Sequence, residues 1–417
     1  MYKHVLGVGA TLLSGALAQN QTVFFPAEYS YLLPDGFVGG NTSTQFLTST
    51  STGNSTIDSL IKSAANASFI ALDPDFYNIF GPNPQLELAA HSDFDDFYEA
   101  GAWDPKRGRV WFSGSVSEKD WHLFVYDLNT RQVTTPETSL PILAPNGGYY
   151  WNDKVYICDF GNQTFASSII AVDPDTGNSE YVVNSFFGLH LNGPDDVNWV
   201  KKNGKAYMFF TDPYYASALN ISGPAVLPDG IWRLDPASQD LQAVISRADV
   251  LVPNGVAVDA NMTKLYVTDT AGTTIPPDFQ PAYASSGSAA IYVYDFDEEV
   301  RPVNKRLFAY SRSGIPDGIK VDDLGRVWTG EGDGLVIRNT VGKVIAIVNA
   351  VALGISAVTN FAIAGDVLVI GGYQNLWLTR SKILQNPACN MIIILLVPDH
   401  PVPYTTYSAG RTTRHVW

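Results

Sequence analysis

One unit recurs along this chain and restricts its fold more than any other feature. A polar or acidic residue stands at the head of a short apolar run. A tight Gly/Asp/Asn turn follows, and a second apolar run ends near Thr-Asp or Gly. Copies open at Glu99, Asn146, Asp195, Asn254 and Asp317, and a sixth runs from Phe361 to Gly372. Period-two alternation about a tight turn is a β-hairpin signal. Further strand pairs lie between the hairpins, at 124–134, 231–244 and 291–309, so each cycle supplies about four strands, the unit of a propeller blade. Such a unit buries its faces only by stacking on its neighbours. The predicted fold is therefore all-β, a six-bladed β-propeller with four-stranded blades. The spacing is long, 59 residues from Pro194 to Pro253 and 63 from Pro253 to Pro316, and extended loops would absorb the excess. The Gly-His and Trp-Asp marks of a WD40 repeat are missing.

Apolar residues make up 46% of the 417 and charged residues 16%, enough for a sizeable core and too few charges for a disordered chain. The net charge of −15, with no Lys/Arg cluster, excludes a nucleic-acid partner. Residues 1–18 read as a signal peptide: Lys3 and His4, an apolar run from Val5 to Leu17, and cleavage after Ala18 in Ala16-Leu17-Ala18. Met391–Val397 is too short to span a bilayer, so no membrane span is expected. Sequons at Asn20, Asn41, Asn54, Asn66, Asn162, Asn220 and Asn261 agree with a secreted, extracellular glycoprotein. Cys158 and Cys389 leave room for one disulfide, with the pairing open. Residues 19–70 read as a Ser/Thr/Asn-rich arm, with one strand at Phe24-Phe25 or one short helix at 57–65. The propeller spans 71–380. Residues 381–417 read as an irregular tail, either a ring-closing strand with a loose end or a non-homologous terminus from an erroneous gene model. A monomer is expected.

The polar heads carry the chemistry. In a propeller the first strand of each blade lines the axis, so Glu99, Asn146, Asp195, Asn254 and Asp317 would converge at one mouth of the channel. Carboxylate and amide oxygens suit one hard divalent cation, Ca²⁺ first, with Zn²⁺, Mn²⁺ or Mg²⁺ open. His91, His122 and His190 are isolated. Taken singly, Pro253-Asn254-Gly255 and Pro316-Asp317-Gly318 are ordinary turns; their recurrence at the heads of hairpins argues for a site. Asn146, His190, Asn192 and Tyr214 are candidates for substrate contact, with Tyr215 as a further wall, although His190 reads equally as a satisfied loop histidine. Glu331 and Asp333 read as a solvated turn.

The stretches Pro194-Asp195-Asp196-Val197, Phe210-Thr211-Asp212-Pro213, Pro253-Asn254-Gly255-Val256, Leu265-Tyr266-Val267-Thr268-Asp269 and Ile315-Pro316-Asp317-Gly318-Ile319-Lys320 resemble the regucalcin/gluconolactonase family. Ala144-Pro145-Asn146-Gly147 and Phe97-Tyr98-Glu99-Ala100 resemble its fungal lactonohydrolase branch. The likeness covers roughly residues 70–380. It implies a six-bladed propeller with a central divalent cation and, in many members, lactone hydrolysis. By position it implies Glu99, Asn254 and Asp317 as metal ligands, with Asp317 also the general base. Asp195 stands where the family usually has Asn. An added carboxylate there tightens cation binding, lowers Lewis acidity and repels an anionic product. The expected reaction is hydrolysis of a small-molecule lactone, the cation polarising the carbonyl while Asp317 or a metal-bound hydroxide activates water. No Gly-x-Ser-x-Gly elbow occurs. The competing readings are a non-catalytic propeller that binds a small molecule or glycan, and a phosphoester hydrolase or strictosidine-synthase-like enzyme on the same scaffold.

Overall fold

Each hairpin of the repeat forms the inner half of one blade, and two further antiparallel strands complete it. The computed structural model describes residues 21–33, 51–117, 120–271 and 289–382. The signal sequence, the sequons at Asn20 and Asn41, Cys389 and nearly all of the C-terminal tail lie outside them.

Six blades follow one another, the strands of each running in order from the axis outward. Blade 1 is Asp95–Asp104, Arg109–Ser117, Asp120–Asp127 and Gln132–Thr134. Blade 2 is Pro145–Trp151, Lys154–Asp159, Ser168–Val172 and Ser179–Val183. Blade 3 is Val197–Lys202, Lys205–Asp212, Gly230–Asp235 and Asp240–Ser246. Blade 4 is Pro253–Val258, Lys264–Asp269, Ala290–Phe296 and Pro302–Tyr310. Blade 5 is Ile319–Val321, Val327–Glu331, Gly334–Arg338 and Val344–Asn349. Blade 6 takes three strands from the C-terminal side, Phe361–Ala364, Val367–Gly372 and Asn375–Arg380. Its outermost strand is Glu87–His91, from before blade 1. The ring is thus closed by a strand from the other end of the propeller, and each blade keeps only a short outer edge.

Apolar residues of facing blades supply the core, one cluster per junction. Trp111, Val125 and Ile157 fill the junction of blades 1 and 2, and Trp151, Trp199 and Phe210 that of blades 2 and 3. Phe209, Val256 and Phe296 lie between blades 3 and 4, and Tyr266, Ile319 and Val327 between blades 4 and 5. Trp328 and Phe361 join blades 5 and 6; Phe97, Phe112 and Val369 join blades 6 and 1. Burying each such side chain contributes about 1.5–3 kcal/mol.

The N-terminal segment holds both a strand, Thr22–Phe24, and a helix, Ser55–Ala65. Asn54 caps the helix N-terminus through the amides of Thr56 and Ile57. Strand Phe69–Ala71 pairs with Val344–Asn349, and Thr22–Phe24 pairs with it in turn, so blade 5 becomes a six-stranded sheet. The helix buries Ile57, Ile61 and Ala64 against Val336 and Ile347. Asn349 Nδ2 donates to the carbonyl oxygens of Ala64, Ala65 and Ala67 at the helix end. The described part of this segment is therefore docked on the propeller.

Candidate active site at the propeller axis

Each blade delivers its head residue by the same local devices. The second strand ends in an aspartate in blades 2, 3 and 4. Asp159 accepts from the amides of Leu143 and Ala144, Asp212 from Asn192 and Gly193, and Asp269 from Leu251 and Val252. These carboxylates pin the loops that lead into the inner strands, which gives the recurrent Thr-Asp a physical role. The pairing register shifts at Asp95/Glu99, Pro145/Gly148 and Pro253/Val256, placing Asn146 and Asn254 within irregularities and Glu99, paired with Ser113, at the border of one. Beside Glu99, Ala100 has φ +75°, a strained conformation for a residue with a Cβ.

A second set of bonds ties each head to the next blade. Ser113 Oγ donates to Asn146 O at 2.7 Å, Thr211 Oγ1 to Asn254 O at 2.6 Å and Thr268 Oγ1 to Asp317 O at 3.1 Å. The amide of Gly147 donates to Asp195 O at 2.9 Å and that of Gly318 to Thr359 O at 2.8 Å. Thr359 Oγ1 donates to Tyr98 O across the closure. Six junctions therefore each carry a bond at the level of the heads. Pro253-Asn254-Gly255 is the beginning of a strand, and its glycine is needed because the next blade's backbone lies against it. A Cβ on Gly255 would stand 2.5 Å from Asp317 O, and one on Gly147 2.0 Å from Asp195 O.

The result is a ring of alternating chemistry. Blades 1, 3 and 5 contribute Glu99, Asp195 and Asp317; blades 2, 4 and 6 contribute Asn146, Asn254 and Asn360. Asn146 Nδ2 donates to Asp195 Oδ1, and Asn360 Nδ2 to Glu99 Oε2 at 3.1 Å. The Asn254 amide bonds to the Asp317 carboxyl. Glu99, Asn146, Asp195, Asn254 and Asn360 are buried, and Asp317 is half-buried. Burial, reinforced by the facing carboxylates Asp317, Asp195 and Asp196, holds Glu99 well above the usual carboxylate range. Burial and the charges of Asp317 and Asp196 do the same to Asp195. Asp317 is pushed up to about 7 by burial and Asp196, against the Asn254 bond. Asp196 lies just past the head of blade 3, and burial raises it to about 6. Among the described residues no three His, Cys, Asp or Glu side chains close into a metal-holding cluster; in the ring each carboxylate is flanked by amides.

The five heads expected from the sequence come together, and Asn360 completes the set. It directly precedes the sixth apolar run, but no glycine follows it, so the run reads as starting at Phe361. Of the residues expected to touch substrate, Asn146 is in the ring and Tyr214 is not. Tyr214 is half-buried beside Asp229 and Arg247. Tyr215 lies beside the ring, its hydroxyl bonded to Thr270 and to the Asn254 side chain. Tyr98 and Tyr373, with ring centroids 5.2 Å apart, add a wall beside Glu99 and Asp317. Asn192 commits its amide to the 226–227 loop, accepting from Val226 N and Leu227 N and donating to Leu227 O. His190 is bonded to the carbonyl of Leu191 and lies near Asp212. Glu331 and Asp333 are not a solvated turn. Both are buried, Glu331 paired with Arg338 at 2.5 Å and Asp333 with Arg312, because neighbouring strands and loops bring the guanidinium groups over them.

Four-stranded blades, six in number, around an oxygen-lined axial mouth define the class of the fold, a six-bladed β-propeller. Residues 97–379 match the model of the SMP-30/Gluconolactonase/LRE-like region, and the chain belongs to that family. It is 26% identical to Lactonohydrolase oryL of Aspergillus oryzae over 318 residues, 72% of this chain and 69% of that protein. It is also 26% identical to the Gluconolactonase of Zymomonas mobilis, over 55% of this chain and 60% of that one. Among solved structures, a gluconolactonase from Xanthomonas campestris superposes with a TM-score of 0.59 at 21% identity, covering 75% of this chain and 94% of its own. A calcium-binding regucalcin from Agrobacterium tumefaciens superposes with a TM-score of 0.50 at 16% identity, covering 72% and 95%. These two likenesses concern the fold.

Proposed function

We propose that the protein is a secreted, metal-dependent lactonase whose active site is the axial ring. The observation that carries this reading is the alternation of three carboxylates with three amides at one buried mouth. Three carboxylates facing one another in a poorly solvated place repel when ionised, and a cation among them would relieve that repulsion. The donors are all oxygen, and mixed carboxylate and amide ligation suits Ca²⁺. Glu99, Asn254 and Asp317 would hold the ion, with Asp195 as a fourth ligand. The relatives named lactonohydrolase and gluconolactonase support the substrate class.

When bound, the cation would supply Lewis acidity toward the lactone carbonyl. Asp317 is the most open of the three ring carboxylates, and its raised affinity for protons suits a general base near neutral pH. It takes a proton from water as the water oxygen bonds to the carbonyl carbon. The acyl C–O bond then breaks, and the proton passes to the departing ring oxygen, which leaves as an alcohol. Tyr98, Tyr215 and Tyr373 wall the mouth and limit bulk water. Asp195 is bonded to Asn146, which shares out the charge that would otherwise repel the carboxylate product.

A lactone panel assayed with and without chelator, on wild type and Asp317→Ala, tests the reading. Chelator-sensitive hydrolysis is expected in wild type, with weaker calcium binding in Asp317→Ala and no hydrolysis by that variant even at calcium concentrations that saturate it. Chelator-insensitive hydrolysis would overturn the metal, and a bound ion with no hydrolysis of any lactone would favour a binding protein. Export and glycosylation belong to the same proposal. The five described sequon asparagines, Asn54, Asn66, Asn162, Asn220 and Asn261, are all exposed. Endoglycosidase treatment of protein recovered from the medium of a eukaryotic host should lower its mass.

A further inference from the structure

We propose that the axial mouth is a slot between two tyrosine walls, and that it selects lactones carrying a flat aromatic ring over saturated or polyhydroxylated ones. The proposal rests on the lactonase reading above, and its tests are arranged so that the two can fail separately.

In a ring of six blades the junction of blades 6 and 1 lies opposite that of blades 3 and 4. Both junctions carry tyrosine at the level of the heads. On one side Tyr98 directly precedes Glu99. Its ring lies against that of Tyr373, with centroids 5.2 Å apart and planes inclined at 44°. Tyr373 is in the turn between Val367–Gly372 and Asn375–Arg380. Two bonds seat that turn beside the heads. Gly371 N donates to the carbonyl of Asn360 at 3.2 Å, and Phe97 N to the carbonyl of Tyr373 at 2.9 Å. On the other side Tyr215 follows the second strand of blade 3, and its hydroxyl reaches Thr270 and Asn254 of blade 4. All three tyrosines are half-buried, so each keeps part of its surface open.

The backbone gives a second, independent reason to assign Tyr373 a task. Its φ is +57°, a conformation that a bulky residue rarely adopts. Gly371 and Gly372 stand directly before it, yet the strained position falls on the aromatic residue. Strain of this kind is held by its surroundings and gathers where a side chain has work to do. The chemistry of that work follows from the walls. An aromatic face attracts another flat ring in offset or edge-to-face contact. It offers little to a hydroxyl, and two of the three ring carboxylates, Asp195 and Glu99, already accept from Asn146 and Asn360. A polyhydroxylated lactone entering the slot would give up partners it has in water. An aryl-fused lactone would set its flat ring against Tyr98 and Tyr373 with its carbonyl toward the oxygen ring.

Hydrolysis by the full chain is measured with three lactones of the same ring size: dihydrocoumarin, which is aryl-fused, δ-valerolactone, which is saturated, and glucono-δ-lactone, which is polyhydroxylated. Tyr373→Leu keeps apolar bulk and removes the aromatic face. Its KM for dihydrocoumarin should rise about fivefold or more with kcat little changed, while KM for the other two stays within about twofold of wild type. Tyr373→Phe should stay within about twofold on all three, and Tyr98→Leu/Tyr373→Leu should exceed the single variant on dihydrocoumarin alone. An equal rise for all three lactones, or none for dihydrocoumarin, would overturn the slot. So would a matching loss of calcium affinity in calorimetric titration of Tyr373→Leu, which would refer the effect to the ring. A wild type that hydrolyses none of the three would instead sink the lactonase reading. The slot is then judged by calorimetric titration with dihydrocoumarin. A Kd raised about fivefold or more in Tyr373→Leu and restored in Tyr373→Phe supports it, and absent or equal binding refutes it.

Discussion

Gly255→Ala isolates the spacing between blades as a determinant of the site. No unusual backbone conformation is involved, so the effect is purely steric. The new Cβ would lie 2.5 Å from Asp317 O, 2.9 Å from Ile319 Cγ2 and 3.0 Å from Thr268 Oγ1. The first contact is roughly 1 Å short of ordinary van der Waals approach, and neither strand yields easily, because overpacking of this kind costs about 1–3 kcal/mol. In a propeller of this size that lowers Tm by roughly 1–5 °C. The displacement falls on the backbone that carries Asp317 and also strains the Thr268–Asp317 bond. A misplacement of about 1 Å in a catalytic group costs on the order of 100-fold in rate. Calorimetric melting and kcat/KM on the best lactone of the panel read the two effects separately. Gly223→Ala is the control: nothing lies within 4 Å of its Cβ, so it should melt within about 1 °C of wild type and keep full activity. If Gly255→Ala retains both Tm and kcat/KM, the close approach of blades 4 and 5 does not position Asp317.

Asn360→Ala removes the amide that donates to Glu99, and loss of one hydrogen bond to a buried charge of about 1.5–3 kcal/mol should weaken calcium binding by about tenfold or more in calorimetric titration. Asp212 is raised to about 7 by burial, against an ordinary value of 3.8. Between about pH 4 and 7 the unfolded chain releases a proton that the folded chain keeps. This group's contribution therefore falls by about 4 kcal/mol as pH rises through that window. Asp212→Asn should flatten the fall of Tm with pH in the metal-free protein, and an unchanged slope would contradict the assignment. Arg338→Met leaves Glu331 buried without its partner and should cost about 3–5 kcal/mol in denaturant unfolding, with most of the loss recovered in Arg338→Met/Glu331→Leu.

Much of the fold was legible because its signals are local. Alternation in Val197–Lys202 and Lys205–Asp212, with Asn203-Gly204 between them, specifies a hairpin without reference to the rest of the chain. The closure was less so. Glu87–His91 carries little alternation, and its partner Asn375–Arg380 is far away in sequence, so only packing reveals the pairing. The same holds at the site. Recurrence identified the five heads that begin hairpins, but Asn360 lacks the following glycine that marks others. Asn192 belongs to the loop it ties, through contacts with Val226 and Leu227 that no motif announces. Tyr214 and Tyr215 are adjacent and alike; a short helix at Tyr215–Ala218 decides which one reaches Asn254. Glu331 looked exposed because glycines flank it, and Arg338, on the adjoining strand, covers it.

The seam between blades 6 and 1 has a consequence for when activity appears during synthesis. Glu99 is among the first propeller residues to be made, whereas Asn360, 261 residues later, is among the last. The bond between their side chains therefore straddles the clasp of the ring, as does the bond from Thr359 to Tyr98. A chain still emerging with five blades has no complete circle of donors, however well those blades have folded. With the ring as the proposed active site, catalytic competence would be a completion signal: an interrupted product would be silent rather than half active.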